Sequence, residues 1–212
     1  LVQYDSDQNG CGALDFPANY TRIDVNLDGV STNSSVFSNG NGEYNLYTST
    51  TGVFGLVPNV ENPNYFTINP NPAVVNIPVI DNSTTTQNFC ITANGVHPDL
   101  EIVIAPIIPA RPGFDAVYKI VYKNKGNQTV DGYVNFTYNE TLLDLISSSV
   151  APTNAGSGMM NWFMPGLVPF QSGSITIILN VNSPQETPAV NIGDILAFNA
   201  FIDVTTDDNW ND

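Results

Sequence analysis

Short runs in which apolar and polar residues alternate recur along the whole chain, separated by segments rich in Gly, Pro, Asn, Ser and Thr. This alternation is typical of β-strands that bury one face. The clearest run is Asp115–Asn124, in which Tyr118, Ile120 and Tyr122 alternate with lysines and a valine, and we expect these three to face a core. Because no segment of helical length shows a convincing 3.6-residue period, the pattern predicts an all-β protein.

The alternation lapses at residues 92–98, Thr-Ala-Asn-Gly-Val-His-Pro, which have the composition of a short linker. We therefore predict two tandem β-sandwich domains, 1–94 and 95–212. The run Asn39-Gly40-Asn41-Gly42 predicts a tight turn with positive φ. Strands are predicted at 1–4, 22–28, 34–38, 44–48, 53–58, 65–68, 73–77 and 85–91, from Asp99 onward, and at 115–124, 132–138, 142–148, 159–163, 174–181 and 195–204.

An acidic segment near the N-terminus carries the sharpest chemical signal. In residues 5–15, Asp-Ser-Asp-Gln-Asn-Gly-Cys-Gly-Ala-Leu-Asp, oxygen-bearing side chains occupy alternate positions and a glycine then permits a sharp turn, as in the first half of an EF-hand loop. Phe16 stands where the bidentate Glu of that loop would be, and no helices flank the segment, so a solvated acidic turn is the alternative. The ligands that the spacing predicts for Ca²⁺ are side-chain oxygens of Asp5, Asp7, Asn9 and Asp15 and the backbone carbonyl of Cys11.

The balance of charge narrows the classes of partner. The chain has 5 Lys and Arg against 20 Asp and Glu, a formal net charge of −15, and charged residues are only 12% of the total. So few cations argue against nucleic-acid binding and against attraction to anionic lipid. No run of 18 apolar residues occurs, so we expect no membrane insertion.

The two cysteines, Cys11 and Cys90, lie near opposite ends of the first predicted domain. They form either a disulfide that joins the acidic segment to the last strand of that domain, or two buried thiols. An acidic chain with a calcium loop of extracellular type belongs to an oxidising compartment, so we favour the disulfide.

Catalytic signatures do not appear in the sequence. His97 is the single histidine, and its position before Pro98 favours a surface or interface role. No P-loop, Gly-x-Ser-x-Gly or dinucleotide-binding motif occurs, and no carboxylate pair stands out as a glycosidase acid and base. We therefore expect a protein that is not an enzyme.

Two further hypotheses concern the second domain. Acidic residues near the C-terminus could hold a second cation between modules, although a solvated acidic end is favoured. Aromatic residues could stack on sugar rings if exposed, although most aromatics in a β-sandwich lie in the core. The acidic residues are Asp203, Asp207, Asp208 and Asp212, and the aromatic ones Tyr133, Trp162 and Trp210.

Residues 1–92 resemble the Cna protein B-type repeats of bacterial surface proteins, in which an Asp/Asn calcium loop precedes a prealbumin-like sandwich. The acidic segment carries this resemblance together with residues 42–46, Gly-Glu-Tyr-Asn-Leu, which fit a Gly-x-Tyr-x-Phe-like hairpin signal. Some relatives form a Lys–Asn isopeptide bond. The first domain has no lysine, so this cross-link is excluded there.

Residues 97–212 resemble the conserved-repeat, immunoglobulin-like sandwich of large secreted Bacteroidota (flavobacterial) surface proteins. The matching segments are 98–102, 110–114, 122–127, 167–170 and 192–194. The resemblance implies type IX secretion and an extracellular or cell-surface location, and it implies no activity. We expect a calcium-stabilised stalk, filament or adhesin segment of a longer protein, with neighbouring modules and possible surface glycans as partners. The alternative is a carbohydrate-binding or accessory module of a secreted hydrolase.

Overall fold

The computed structural model describes residues 1–204, and within them it is all-β, with a single 3-10 turn at Pro63–Tyr65 and no α-helix. The strands form four sheets of four strands each. The chain divides into two units, one made of Leu1–His97 with Lys125–Gln128, the other of Pro98–Asn124 with the described residues from Thr129 on. The sequence-based bounds 1–94 and 95–212 remain a prediction, whereas the units of the structure divide after His97.

The first unit holds eight strands in two sheets. They are β1 (Val2–Asp5), β2 (Phe16–Pro17), β3 (Arg22–Leu27), β4 (Val30–Phe37), β5 (Gly52–Asn59), β6 (Phe66–Asn69), β7 (Ala73–Ile77) and β8 (Phe89–Ala93). The sheet orders are β2-β1-β8-β6 and β4-β3-β5-β7. Strands β1 and β8 pair in parallel, with Gln3 opposite Cys90, and the other pairs are antiparallel.

The second unit also holds eight strands in two antiparallel sheets. They are β9 (Leu100–Ile108), β10 (Asp115–Asn124), β11 (Val130–Tyr138), β12 (Leu143–Ser148), β13 (Asn154–Gly156), β14 (Met159–Leu167), β15 (Ser172–Val181) and β16 (Phe198–Asp203). The sheet orders are β12-β15-β10-β9 and β13-β14-β11-β16. Side chains of both sheets, among them Ile120, Ile177, Phe136 and Trp162, share one core, so the sheets pack face to face as a sandwich.

Strand β10 has the predicted bounds and the predicted alternation. Tyr118 and Ile120 are buried, Tyr122 packs against the core, and Val121 faces outward. Tyr122 lies opposite Gly173, where an added Cβ would approach the tyrosine hydroxyl to 2.2 Å. The ring therefore lies in space that a side chain at position 173 would otherwise occupy.

Residues 125–128 belong to the first unit through hydrogen bonds of Asn127. The Tyr4 hydroxyl donates to its carbonyl at 2.6 Å, and the His97 backbone N–H donates to its Oδ1 at 2.8 Å. Its amide nitrogen donates to the Tyr65 carbonyl, also at 2.8 Å. A polar side chain that is 1% exposed thus has its hydrogen bonds met within that unit.

The strand predicted at residues 44–48 does not form. This segment has no sheet partner, although its Tyr44 hydroxyl donates to the Gln87 carbonyl at 2.7 Å and its ring lies 5.9 Å from that of Phe89. Tyr44 therefore packs without a ladder of backbone hydrogen bonds, whereas Tyr47 is exposed. The preceding turn needs its last glycine, because Gly42 has φ +73° and an added Cβ would lie 2.3 Å from the Val2 carbonyl.

Candidate metal centre

The acidic segment is the loop of a β-hairpin. Strands β1 and β2 pair antiparallel with Tyr4 opposite Phe16, so residues 5–15 connect them. Asp5 ends the first strand and Asp15 precedes the second, and the pairing brings both to the neck of the loop. The departure from an EF-hand follows from this topology, because the loop joins two strands instead of two helices.

Three carboxylates converge in this loop. One oxygen from each of Asp5, Asp7 and Asp15 lies within 4.8 Å of the others, with Asp5 buried, Asp15 half-buried and Asp7 exposed. Calcium binds oxygens at 2.3–2.6 Å, so two ligands of one ion lie at most about 5.2 Å apart. The three oxygens are therefore close enough to share one cation.

Backbone N–H groups hold two of these carboxylates in place. Asp5 accepts hydrogen bonds from the amides of Asn9 at 3.1 Å and Gly10 at 2.9 Å. Asp15 accepts from the amides of Ser6 at 3.0 Å and Gly12 at 2.8 Å. An ionised carboxylate has about four lone-pair sites, so these bonds leave acceptor sites for a metal.

No basic side chain among residues 1–204 lies within ion-pair distance of these carboxylates, whereas Arg22 pairs with Asp24 at 2.7 Å. Two like unit charges about 5 Å apart repel by roughly 1 kcal/mol in water and about 3 kcal/mol at an effective dielectric constant near 20. A bound divalent cation would replace this repulsion with attraction. The donor set of carboxylate oxygens suits calcium, magnesium or manganese.

Asn9 and Cys11, the other two predicted ligand residues, lie in the same loop. The Asn9 side-chain nitrogen donates to Asp7 Oδ2 at 2.6 Å, so the nitrogen end of the amide faces the carboxylate. The backbone N–H of Cys11 points to the sulfur of Cys90 at 3.1 Å. Ligation by the Asn9 side-chain oxygen and by the Cys11 carbonyl stays a prediction.

The structure contains the disulfide that the sequence favoured. Cys11 and Cys90 are bonded, with their Cα atoms 5.5 Å apart. The bond attaches the loop to β8, the parallel neighbour of β1, and the Gln3 side-chain nitrogen adds a hydrogen bond to the Gly12 carbonyl at 2.7 Å. The loop is therefore fixed from both β1 and β8.

The remaining candidate residues have other surroundings. The His97 ring stacks on Tyr65 with centroids 4.2 Å apart. Trp162 is 1% exposed and its indole nitrogen donates to the Val150 carbonyl at 2.9 Å. The hypothesis that Trp162 stacks on sugar rings is therefore wrong, because its ring fills the core. Tyr133, by contrast, is 43% exposed.

The predicted acidic end of the second domain falls mostly beyond the part of the chain that the structure describes. Asp203 is the exposed last residue of β16. The other positions of that hypothesis, and the candidate sugar-stacking tryptophan nearest the C-terminus, lie outside the described residues; they are Asp207, Asp208, Asp212 and Trp210.

Comparison with known proteins adds no relative: no protein-family model and no curated protein matches this chain. Within residues 1–204, no helix has the length and apolar character needed to cross a membrane.

Proposed function

We propose that this chain is a non-enzymatic structural or adhesive module of a larger extracellular or cell-surface protein, and that Ca²⁺ stabilises its first unit. The observation that supports this proposal is the convergence of three carboxylates in a hairpin loop that a disulfide ties to β8. An irregular loop favours calcium over magnesium, because calcium accepts variable oxygen geometry and magnesium demands an octahedron. The partners are neighbouring modules of the same stalk, filament or adhesin.

The proposed location rests on two features of the first unit. A disulfide that ties distant parts of a domain is consistent with an oxidising compartment outside the cytosol. Calcium sites of extracellular modules have dissociation constants of about 10⁻⁴ to 10⁻³ M, which suits a loop with three carboxylates and no bidentate Glu.

The proposed architecture is a prealbumin-like, Cna B-type domain followed by an immunoglobulin-like repeat of the Bacteroidota type IX class. In its favour, each unit has two four-stranded sheets, and the order β12-β15-β10-β9 follows the D-E-B-A order of an immunoglobulin sheet. One feature departs from that class. Strand β14, which comes between β12 and β15 in the chain, pairs with β11, whereas a constant-type immunoglobulin domain has no strand between D and E.

Thermal unfolding of the full chain with CaCl₂ or with EGTA tests the metal proposal. At a calcium concentration ten times the dissociation constant, linkage adds about 1.4 kcal/mol, which raises the melting temperature of a unit of this size by roughly 6–11 °C. Asp7→Asn should abolish this calcium-dependent rise, because it removes one of the three carboxylates. Asp7 is exposed, so the change leaves the core intact. Asp81→Asn, an equal change of charge at an exposed site outside the loop, should preserve it.

The proposal fails if EGTA leaves the melting temperature unchanged and calorimetry detects no calcium binding at millimolar concentration. It also fails if Asp81→Asn removes the calcium effect as completely as Asp7→Asn does. A magnesium titration distinguishes the two hard cations, and we expect a smaller rise in melting temperature with magnesium.

A further inference from the structure

The outer face of the sheet β13-β14-β11-β16 carries three aromatic rings at the surface. Tyr133, Phe163 and Phe201 are 43%, 38% and 44% exposed and lie on three neighbouring strands. Tyr133 is opposite Phe163, and their ring centroids are 4.9 Å apart. Phe201 lies opposite Asn135, two residues along β11 from Tyr133, which makes it a diagonal neighbour of that ring. We refer to this outer surface of the sheet, which carries the three rings, as the aromatic face.

Asparagine amides lie beside the rings on the same face. Asn161 donates to Asn135 Oδ1 at 2.7 Å, and Asn135 donates to the Tyr133 carbonyl at 3.0 Å. Each amide has a second N–H, and Asn161 Oδ1, which is buried, has no hydrogen-bond partner among the described residues. Asn154, opposite Asn161, and Asn199 on β16 extend the row. The face therefore combines flat apolar rings with side chains that donate and accept hydrogen bonds.

The charge of this face disfavours an anionic partner. Its four strands contain no Lys or Arg, and Asp203 lies opposite Tyr133. The other sheet of the same unit differs, because β10 carries Lys119 and Lys123. An anionic partner would meet carboxylates and no cation here, so charge disfavours an anionic partner, and the rings and amides supply contacts that need no charge on the partner.

The face alone is smaller than a stable protein interface. Four strands spaced about 4.8 Å apart, over about six residue intervals of 3.3 Å each, cover roughly 14 Å by 20 Å, or under about 300 Å². A specific protein–protein interface buries about 800 Å² on each partner. The dimensions instead suit a short, extended chain lying across the strands.

We propose that the aromatic face binds a neutral oligosaccharide. The rings of Tyr133, Phe163 and Phe201 stack on the apolar C–H faces of pyranose rings, and the remaining N–H groups of the Asn135 and Asn161 amides donate hydrogen bonds to sugar hydroxyls. This site belongs wholly to the second unit and does not depend on calcium in the hairpin loop.

Calorimetry on the full chain tests this binding with a defined panel of neutral sugars: cellohexaose, xylohexaose, mannohexaose, laminarihexaose and chitohexaose. At least one should bind with a dissociation constant below about 1 mM, and the anionic comparator polygalacturonate should not bind. Phe163→Ala and Phe201→Ala should each weaken binding by about 3-fold to 10-fold, and Tyr133→Ala by at least as much, because it removes the central ring.

Phe114→Ala is the matched control, since this ring is 65% exposed in the same unit but lies outside the strands of the face. The control should bind the sugar with unchanged affinity. Thermal melts should show that the variants remain folded, as expected for rings that are about 40% exposed.

Three results would overturn the proposal. None of the five sugars binds, or Phe114→Ala weakens binding as much as Phe163→Ala, or the chain sediments as a dimer that Tyr133→Ala dissociates. The last result would assign the face to self-association. None of these three results alters the rise in melting temperature that calcium is expected to cause. Failure of the sugar site is therefore distinguishable from failure of the metal proposal.

Discussion

Replacing both cysteines by serine should remove a large part of the stability of the first unit. The disulfide joins residues 79 positions apart, and in the chain-entropy model closing a loop of that length stabilises the folded state by about 4.5 kcal/mol at 25 °C. Domains are typically stable by only 5–15 kcal/mol. The bond also ties the loop to β8, next to the parallel pair that β1 and β8 form.

Differential scanning calorimetry of the full chain in EGTA measures this effect. For a unit of about 100 residues, each kcal/mol corresponds to about 4–8 °C, so the full entropic term would lower the melting temperature of the first unit by roughly 18–36 °C. The second unit contains no cysteine and serves as the internal control. The wild-type chain under reducing conditions should behave like the double variant of Cys11 and Cys90.

A loss of less than about 1 kcal/mol in urea unfolding would refute this reasoning, because it would mean that the unfolded chain already holds the two segments together. An equal shift of both calorimetric transitions would also refute it, since the constraint lies wholly in the first unit. Comparing the urea dependence of unfolding in the two forms detects any change in the compactness of the unfolded state.

Further changes probe the turn, a half-buried phenol and the core. Gly42→Ala should lower the free energy of unfolding in urea by about 2–5 kcal/mol, because the added Cβ meets the backbone carbonyl of Val2. Gly29→Ala is the control: Gly29 has a similar φ of +79° but no atom within 4 Å of an added Cβ, so the loss should be about 1–2 kcal/mol. Burial raises the pKa of Tyr44 to about 12. An unfolded tyrosine ionises near pH 10, so between pH 10 and 12 the unfolded chain loses this proton more readily than the folded chain does. The contribution of the neutral Tyr44 side chain to folding stability is therefore fully present below pH 10 and is lost as the pH rises to 12. The advantage of the wild type over Tyr44→Phe in melting temperature should therefore shrink across that window. Trp162→Ala should cost about 3–5 kcal/mol in urea unfolding, as expected for a core ring.

Long alternating runs were the predictable part of the fold. Strand β10 has ten residues with a consistent two-residue period, so its bounds and its buried face followed from the sequence. Strands β2 and β13, with two and three residues, are too short to show a period. Residues 44–48 have a strand-like pattern, but whether an extended segment finds a sheet partner depends on distant parts of the chain.

The candidate metal site depends on local sequence, whereas the aromatic face depends on how distant strands pair. The spacing of Asp5, Asp7 and Asp15 is a property of one short segment, so their convergence could be anticipated. The aromatic face could not, because Trp162 and Phe163 are neighbours in β14 that point to opposite sides, and only the pairing register decides which ring is buried. The sequence therefore suggested surface aromatics without identifying Phe163 or Phe201.

The scarcity of cations connects the loop to its proposed environment. Arg22 is the one Lys or Arg of residues 1–94, and it pairs with Asp24, so the three loop carboxylates have no basic neighbour among the described residues to offset their repulsion. The pairing of β1 with β2 brings Asp5 and Asp15 together, and the disulfide fixes the loop between them to β8. If calcium binds there as proposed, linkage requires that the factor by which the disulfide strengthens calcium binding equals the factor by which calcium stabilises the disulfide against reduction. The first unit is then most stable where both an oxidant and calcium are present, and these two conditions coincide outside the cell.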